Sequence, residues 1–137
     1  MEHIKNIRIY YEDTDAGGIV YHANYLNFAE RARTEFLRDI GFENSILHRE
    51  EGLIFVVRKI DIEYLKTAKL DDYLQVKTTI SELKNSSFIM HQRTFRDNEL
   101  IADMHVVLVC IDADKHRPVR LPENIKDAFK SFQENIE

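Results

Sequence analysis

The chain is 137 residues long, 44% hydrophobic and 31% charged, the proportions of one globular domain (1–137) with room for a proper core. Its formal net charge is −5 and no run of Lys or Arg stands out, so it lacks the basic footprint that a nucleic-acid partner requires. A small anionic ligand held by a few local cations remains compatible with that balance.

The opening residues, Met1-Glu2-His3-Ile4-Lys5-Asn6, contain no apolar stretch of the kind a secretory signal carries. Residues 5–11 alternate Ile7, Ile9 and Tyr11 against Asn6, Arg8 and Tyr10, the period of a half-buried strand. Next comes a loop with three carboxylates (Glu12, Asp13, Asp15), the pair Gly17-Gly18, and His22. The chain has four glycines and two of them stand here, which points to a backbone that must approach something closely. Residues 24–40 predict a helix, with Tyr25, Phe28, Ala29, Ala32, Phe36 and Ile40 on one stripe and Asn27, Glu30, Arg31, Thr34, Glu35 and Arg38 on the other face. Asn24 suits the N-cap and Gly41 the left-handed stop. Residues 43–51 predict a shorter helical piece, ended by Gly52.

From Leu53 the period changes to two. Residues 53–64 predict a long strand whose second half alternates Ile60, Ile62 and Tyr64 against Lys59, Asp61 and Glu63. A polar connection (66–72), a strand (73–82), a hairpin turn at Lys84-Asn85-Ser86, a strand (87–96) and a turn (97–99) follow. The strand at 100–112 is apolar on both faces through Val106–Ile111, as expected where both sides are covered. That run is the longest uninterrupted apolar one and is too short to cross a bilayer. Pro122 is expected in the first turn of a C-terminal helix from Glu123 to about Gln133. The single cysteine, Cys110, cannot form an intrachain disulfide and reads as a small buried hydrophobe, which makes a cytoplasmic location the default expectation. Strand, long helix, then four strands with short connections describe an α+β layer, one helix against a curled antiparallel sheet.

The stretch Tyr11-Glu12-Asp13-Thr14-Asp15-Ala16-Gly17-Gly18-Ile19-Val20-Tyr21-His22-Ala23-Asn24-Tyr25, with Glu30-Arg31-Ala32-Arg33-Thr34-Glu35 after it, resembles the hot-dog-fold 4-hydroxybenzoyl-CoA thioesterase family. Its YbgC-type branch, the acyl-CoA thioesterases linked to the Tol–Pal cell-envelope system of Gram-negative bacteria, is the nearest in pattern. The likeness continues through Phe55-Val56-Val57-Arg58-Lys59, Glu63-Tyr64 and Ala68-Lys69-Leu70-Asp71-Asp72. The resemblance implies a five-stranded antiparallel sheet wrapped around the long helix. It also implies homodimers, or homotetramers built from them, with the active site between subunits and no bound cofactor.

A thioester carbonyl needs a nucleophile or an activated water, and donors for the oxyanion that develops. Asp15 stands just before the glycines, and the resemblance assigns it the catalytic position, either attacking the carbonyl to give a mixed anhydride or acting as general base on water. Gly17 and Gly18 leave room for the carbonyl, and the helix start, with N–H groups near Tyr21 and His22, offers the oxyanion site. His22 is the second catalytic candidate, to orient the carbonyl or Asp15 or to protonate the leaving thiolate; capping or packing is its plainer role. Asp13 reads as a loop brace, and Glu12 as solvated or paired. Arg58 and Lys59 are candidates for CoA phosphates, as are Lys84, Ser86 and Ser87, with strand-edge and hairpin solvation the competing reading. A metal site from Glu12, Asp13, Asp15 and His22 fits no ligand spacing, so none is expected there. His3, His48 and His116 read as exposed, and His91 and His105 as satisfied strand histidines.

The expected activity is therefore hydrolysis of a small (short-chain or aromatic) acyl thioester, carried on CoA or on acyl carrier protein. One rival is an interaction protein that binds acyl carrier protein or an envelope-biogenesis enzyme, with incidental esterase activity; another is a hot-dog dehydratase acting on a 3-hydroxyacyl thioester.

Overall fold

The computed structural model describes residues 1–134. Five strands form one antiparallel sheet: β1 (His3–Arg8), β2 (Leu53–Tyr64), β3 (Tyr73–Leu83), β4 (Ser87–Arg96) and β5 (Glu99–Asp112), in the order β1-β3-β4-β5-β2. The long helix α1 (Asn24–Asp39) packs on its inner face, as the α+β hot-dog arrangement requires. A helical turn, α2 (Asn44–Ile46), widens over Leu47–Glu51 and stops at Gly52, and α3 (Glu123–Lys130) closes the C-terminal side.

Strand periodicity decides which side chains meet the helix. Leu74, Val76, Thr78 and Ile80 of β3, Met90 and Gln92 of β4, and Met104 and Val106 of β5 are all buried, and they face α1 through Phe28, Ala29, Ala32 and Phe36. The Phe36 ring sits 4.8 Å from Phe132, 5.8 Å from Phe129 and edge-on to His3 at 5.6 Å, a dense aromatic end to the core. His3 is thus half-buried rather than exposed, with Nε2 2.7 Å from Asp39 Oδ2.

Several boundaries differ from expectation for local reasons. β1 ends at Arg8, because Tyr11–Asp13 forms a 3-10 turn in which Asp13 Oδ2 accepts the Tyr10 N–H at 2.9 Å. Tyr11 is therefore 81% exposed instead of continuing the core face. Ala23, not Asn24, occupies the cap position of α1; the Asn24 amide instead donates to the Asp13 carbonyl at 2.8 Å. Pro122 stands just before α3 rather than inside it. The chain leaves α3 at Lys130, short of Gln133, because Ile80 captures it: the Ile80 N–H donates to Phe132 O at 2.8 Å and the Glu134 N–H to Ile80 O at 2.9 Å.

β2 is an edge strand with a bulge. Val57 pairs with Leu108 and Lys59 with Val107, leaving Arg58 as the extra residue. The inward set therefore switches from Leu53 and Phe55 to Ile60 and Ile62, so only the second half of the strand alternates cleanly with the lysine and acids outward. Two of its large hydrophobic residues are largely open, Val57 at 44% and Tyr64 at 45%.

Candidate active site

The loop between β1 and α1 closes on itself. The Gly18 N–H donates to the Asp15 carbonyl at 3.0 Å, and the Asp15 N–H to Ile19 O at 2.9 Å. Asp15 Oδ1 accepts the Gly17 N–H at 2.9 Å, an Asx turn inside the backbone turn. Each glycine has a local reason: Gly18 has φ +83°, and a Cβ on Gly17 would sit 3.2 Å from Asp15 Oδ1. Asp15 is exposed, and its Oδ2 has no partner among the described residues. One carboxylate oxygen thus orients the side chain while the other is free to meet a substrate.

The loop rests on the β2–β3 connection. The Val20 N–H donates to Ala68 O at 2.8 Å, and Ile19 bridges to Lys69. Asp72 holds that connection in shape: its Oδ2 accepts the Lys69 N–H at 3.0 Å and Arg96 Nη1 at 2.8 Å. Arg96 also reaches Thr67 O at 3.0 Å and Glu99 Oε1 at 2.6 Å. Burial alone would raise the Asp72 carboxyl, but the Lys69 N–H and the Arg96 hydrogen bond and charge outweigh it and hold the group below the usual carboxylate range.

At the helix start, Asp13 braces both sides. Its carbonyl accepts the Tyr21 N–H at 2.9 Å, so Tyr21 does not offer the free donor that was expected; the N–H groups of His22 and Ala23 have no acceptor among the described residues. The Tyr64 hydroxyl, kept protonated as burial raises it, donates to the His22 carbonyl at 3.0 Å and so ties the end of β2 to the start of α1. The His22 ring is exposed, lies 4.6 Å from the Tyr21 ring and 6.1 Å from Tyr64, and makes no hydrogen bond to Asp15.

A cavity of about 290 Å³ opens between α1 and the sheet. Phe55, Val57, Phe88, Met90 and Leu108 give it an apolar wall, and Glu30, Arg33 and Thr34 a polar one. Arg33 is fixed there by Gln92, whose Oε1 accepts Arg33 Nη1 at 3.0 Å while its amide donates to Ala29 O and Thr78 Oγ1. None of Asp15, Gly17, Gly18, Tyr21 and His22 lines this cavity. Arg58 and Lys59 stand outside it on β2; Lys59 lies 3.6 Å from Asp61, and Arg58 has no ionic partner among the described residues.

Residues 10–129 match the thioesterase-like superfamily. The chain belongs to that superfamily. It is 47% identical over 123 residues to the acyl-CoA thioesterase YbgC of Haemophilus influenzae, covering 90% of each chain. It is 46% identical over 125 residues to the acyl-CoA thioester hydrolase YbgC of Escherichia coli O157:H7, covering 90% of this chain and 92% of that one. Among solved structures, a probable thioesterase from Bartonella henselae superposes with a TM-score of 0.85 at 41% identity, over 89% of this chain and all of that one.

Sequence reasoning missed the groups that act through others. Asp72 and Arg96, which shape the loop's support, and the Arg33–Gln92 pair are separated in sequence by 24 and 59 positions. Neither carries a local pattern. Asp72 and Arg33 were visible only as members of matching stretches.

Proposed function

We propose that this thioesterase hydrolyses a small acyl-CoA, with Asp15 as nucleophile or general base and the N–H groups of His22 and Ala23 as oxyanion donors. The observation that carries the reading is the Asp15 turn: a carboxylate oriented through one oxygen, open through the other, on a backbone without Cβ atoms at Gly17 and Gly18. Tyr21 is a contact for the acyl-thioester arm, Arg58 and Lys59 are cations within reach of CoA phosphates, and His22 orients or protonates. The apolar wall of the cavity supports a small acyl group, short-chain or aromatic, as the substrate.

An exposed carboxylate in open water makes a poor site, and the cavity lies apart from it within one subunit. Association of two chains through the long, open β2 edge would cover both, which is why a homodimer, or a homotetramer of such dimers, belongs to the proposal. No helix among the described residues is long and apolar enough to cross a membrane. A cytoplasmic role on CoA or carrier-protein thioesters, in the Tol–Pal setting of the YbgC-type branch, completes the reading.

The test is turnover of a panel of acyl-CoAs and acyl carrier protein thioesters by wild type and Asp15→Asn. Asn keeps the Oδ1 acceptor for Gly17 but removes the charge. A loss of about 10²–10⁴-fold in kcat in a folded variant is expected. Comparable turnover would remove Asp15 from the mechanism.

A further inference from the structure

The geometry points to a second site, for a divalent transition-metal cation of the zinc class, on the outer face of the sheet, built from His91, Asp103 and His105. His91 of β4 is directly opposite His105 of β5, and Asp103 is two residues from His105, hence on the same face. The buried neighbours Met90, Gln92, Met104 and Val106 point the other way, toward α1. One ligand atom from each of the three residues lies within 4.8 Å of the others. Two imidazoles and a carboxylate are a donor set suited to zinc, cobalt or nickel, with a water completing a tetrahedron.

The outer contacts of His91 are those of a metal ligand. Its Nε2 lies 2.6 Å from Asp103 Oδ1, on the side where a cation shared by the two would sit. Its other nitrogen, Nδ1, meets Glu134 Oε1, and that same oxygen accepts the Thr79 hydroxyl at 2.7 Å. A histidine ligated through one nitrogen and held by a carboxylate through the other is the usual outer-shell arrangement at metal sites, because it fixes the tautomer and the ring plane. The three residues that do this here come from three separate parts of the chain: β3, β4 and the segment after α3.

His105 is the adjustable member. It is exposed, has no hydrogen bond among the described residues, and stacks on the His91 ring at 4.2 Å with 13° between planes. Stacked rings do not aim their lone pairs at one point, so His105 must turn about its side-chain bonds to close the site. The charged groups around the cluster are Asp61 across from His105, Glu63 across from Asp103, and Arg93, also opposite Asp103. Arg93 is drawn away toward Glu2 at 3.7 Å and Phe95, which leaves the Asp103 carboxylate without an ion pair to it. Bound metal would clip β4 to β5 and, through Glu134, the C-terminal segment to β3.

The test uses the full-length, tag-free chain, stripped with chelator and titrated with Zn²⁺ by calorimetry, and with Co²⁺ by visible absorption. One equivalent per chain is expected, with tetrahedral Co²⁺ bands and a raised Tm on adding Zn²⁺. His105→Ala, at an exposed position that leaves the fold alone, is expected to abolish the Co²⁺ bands and weaken Zn²⁺ binding by at least ~10-fold; Glu134→Gln should weaken it by about 10-fold or more while retaining the stoichiometry. Absence of Zn²⁺ binding at 100 µM metal, or binding that His105→Ala and Asp103→Asn both leave intact, would overturn the assignment.

Discussion

Replacing Asp72 by Asn isolates one charge in the platform beneath the Asp15 loop. Asn keeps an oxygen for the Lys69 N–H, so the main loss is the charge facing Arg96 at 2.8 Å. The two side chains are 15% and 28% exposed, between the open surface and the interior. Exposed pairs contribute about 0–1 kcal/mol, and hydrogen bonds to charged groups about 1.5–3 kcal/mol. Arg96 retains Glu99 and Thr67 as partners, so the expected loss is at the low end, about 1–1.5 kcal/mol. With an unfolding entropy of roughly 2.1 cal/mol/K per residue over 137 residues, that lowers Tm by about 3–5 °C at pH 7. The sign with pH follows from the depressed carboxyl. Its stabilisation is fully present above the unfolded value of about 4 and is lost as pH falls through the lower folded value. Melting of both proteins by circular dichroism, from pH 7 down to the lowest pH at which wild type folds, should show the gap closing. A gap of equal size throughout would mean that shape, not charge, holds Lys69 and Arg96.

Three further outcomes follow from other parts of the chain. Gln92→Leu removes three hydrogen bonds at a 1%-exposed position and leaves the Arg33 guanidinium short of a partner, so urea unfolding should report a loss of about 3 kcal/mol; a loss below about 1 would mean the network is dispensable. Gly18→Ala introduces no clash within 4 Å but strains a φ of +83°, which should lower stability by about 1 kcal/mol while reducing turnover far more; unchanged turnover would detach the turn's shape from catalysis. The Cys110 thiol, with no exposed surface and pushed up to about 11 by burial and the Glu51 charge, should resist a disulfide reagent at pH 8 until urea is added; rapid labelling of the folded chain would contradict its burial.

The fold was readable where one period dominates. The residues 53–64 and 87–96 coincide with β2 and β4: burial marks every second position along β4 and along the second half of β2. The failures occurred where one hydrogen bond overrides the period. Asp13 captures the Tyr10 N–H and turns Tyr11 out to solvent, and Ile80 draws the chain after Lys130 out of the helix expected to run to about Gln133. The Asp15 turn could be located because its residues are adjacent and two are glycines. What supports it could not: Asp72, Arg96 and the Tyr64 hydroxyl act through distances that only the folded chain defines.

The Asp15–Gly18 turn sets its own shape, with bonds from Gly17 and Gly18 both returning to Asp15 and no core side chain involved. Substitutions at its exposed side chains should therefore change chemistry without drawing on the packing between α1 and the sheet. On the proposed mechanism such a loop can be varied for rate while the same scaffold keeps folding, so that reactivity and foldability are adjusted independently.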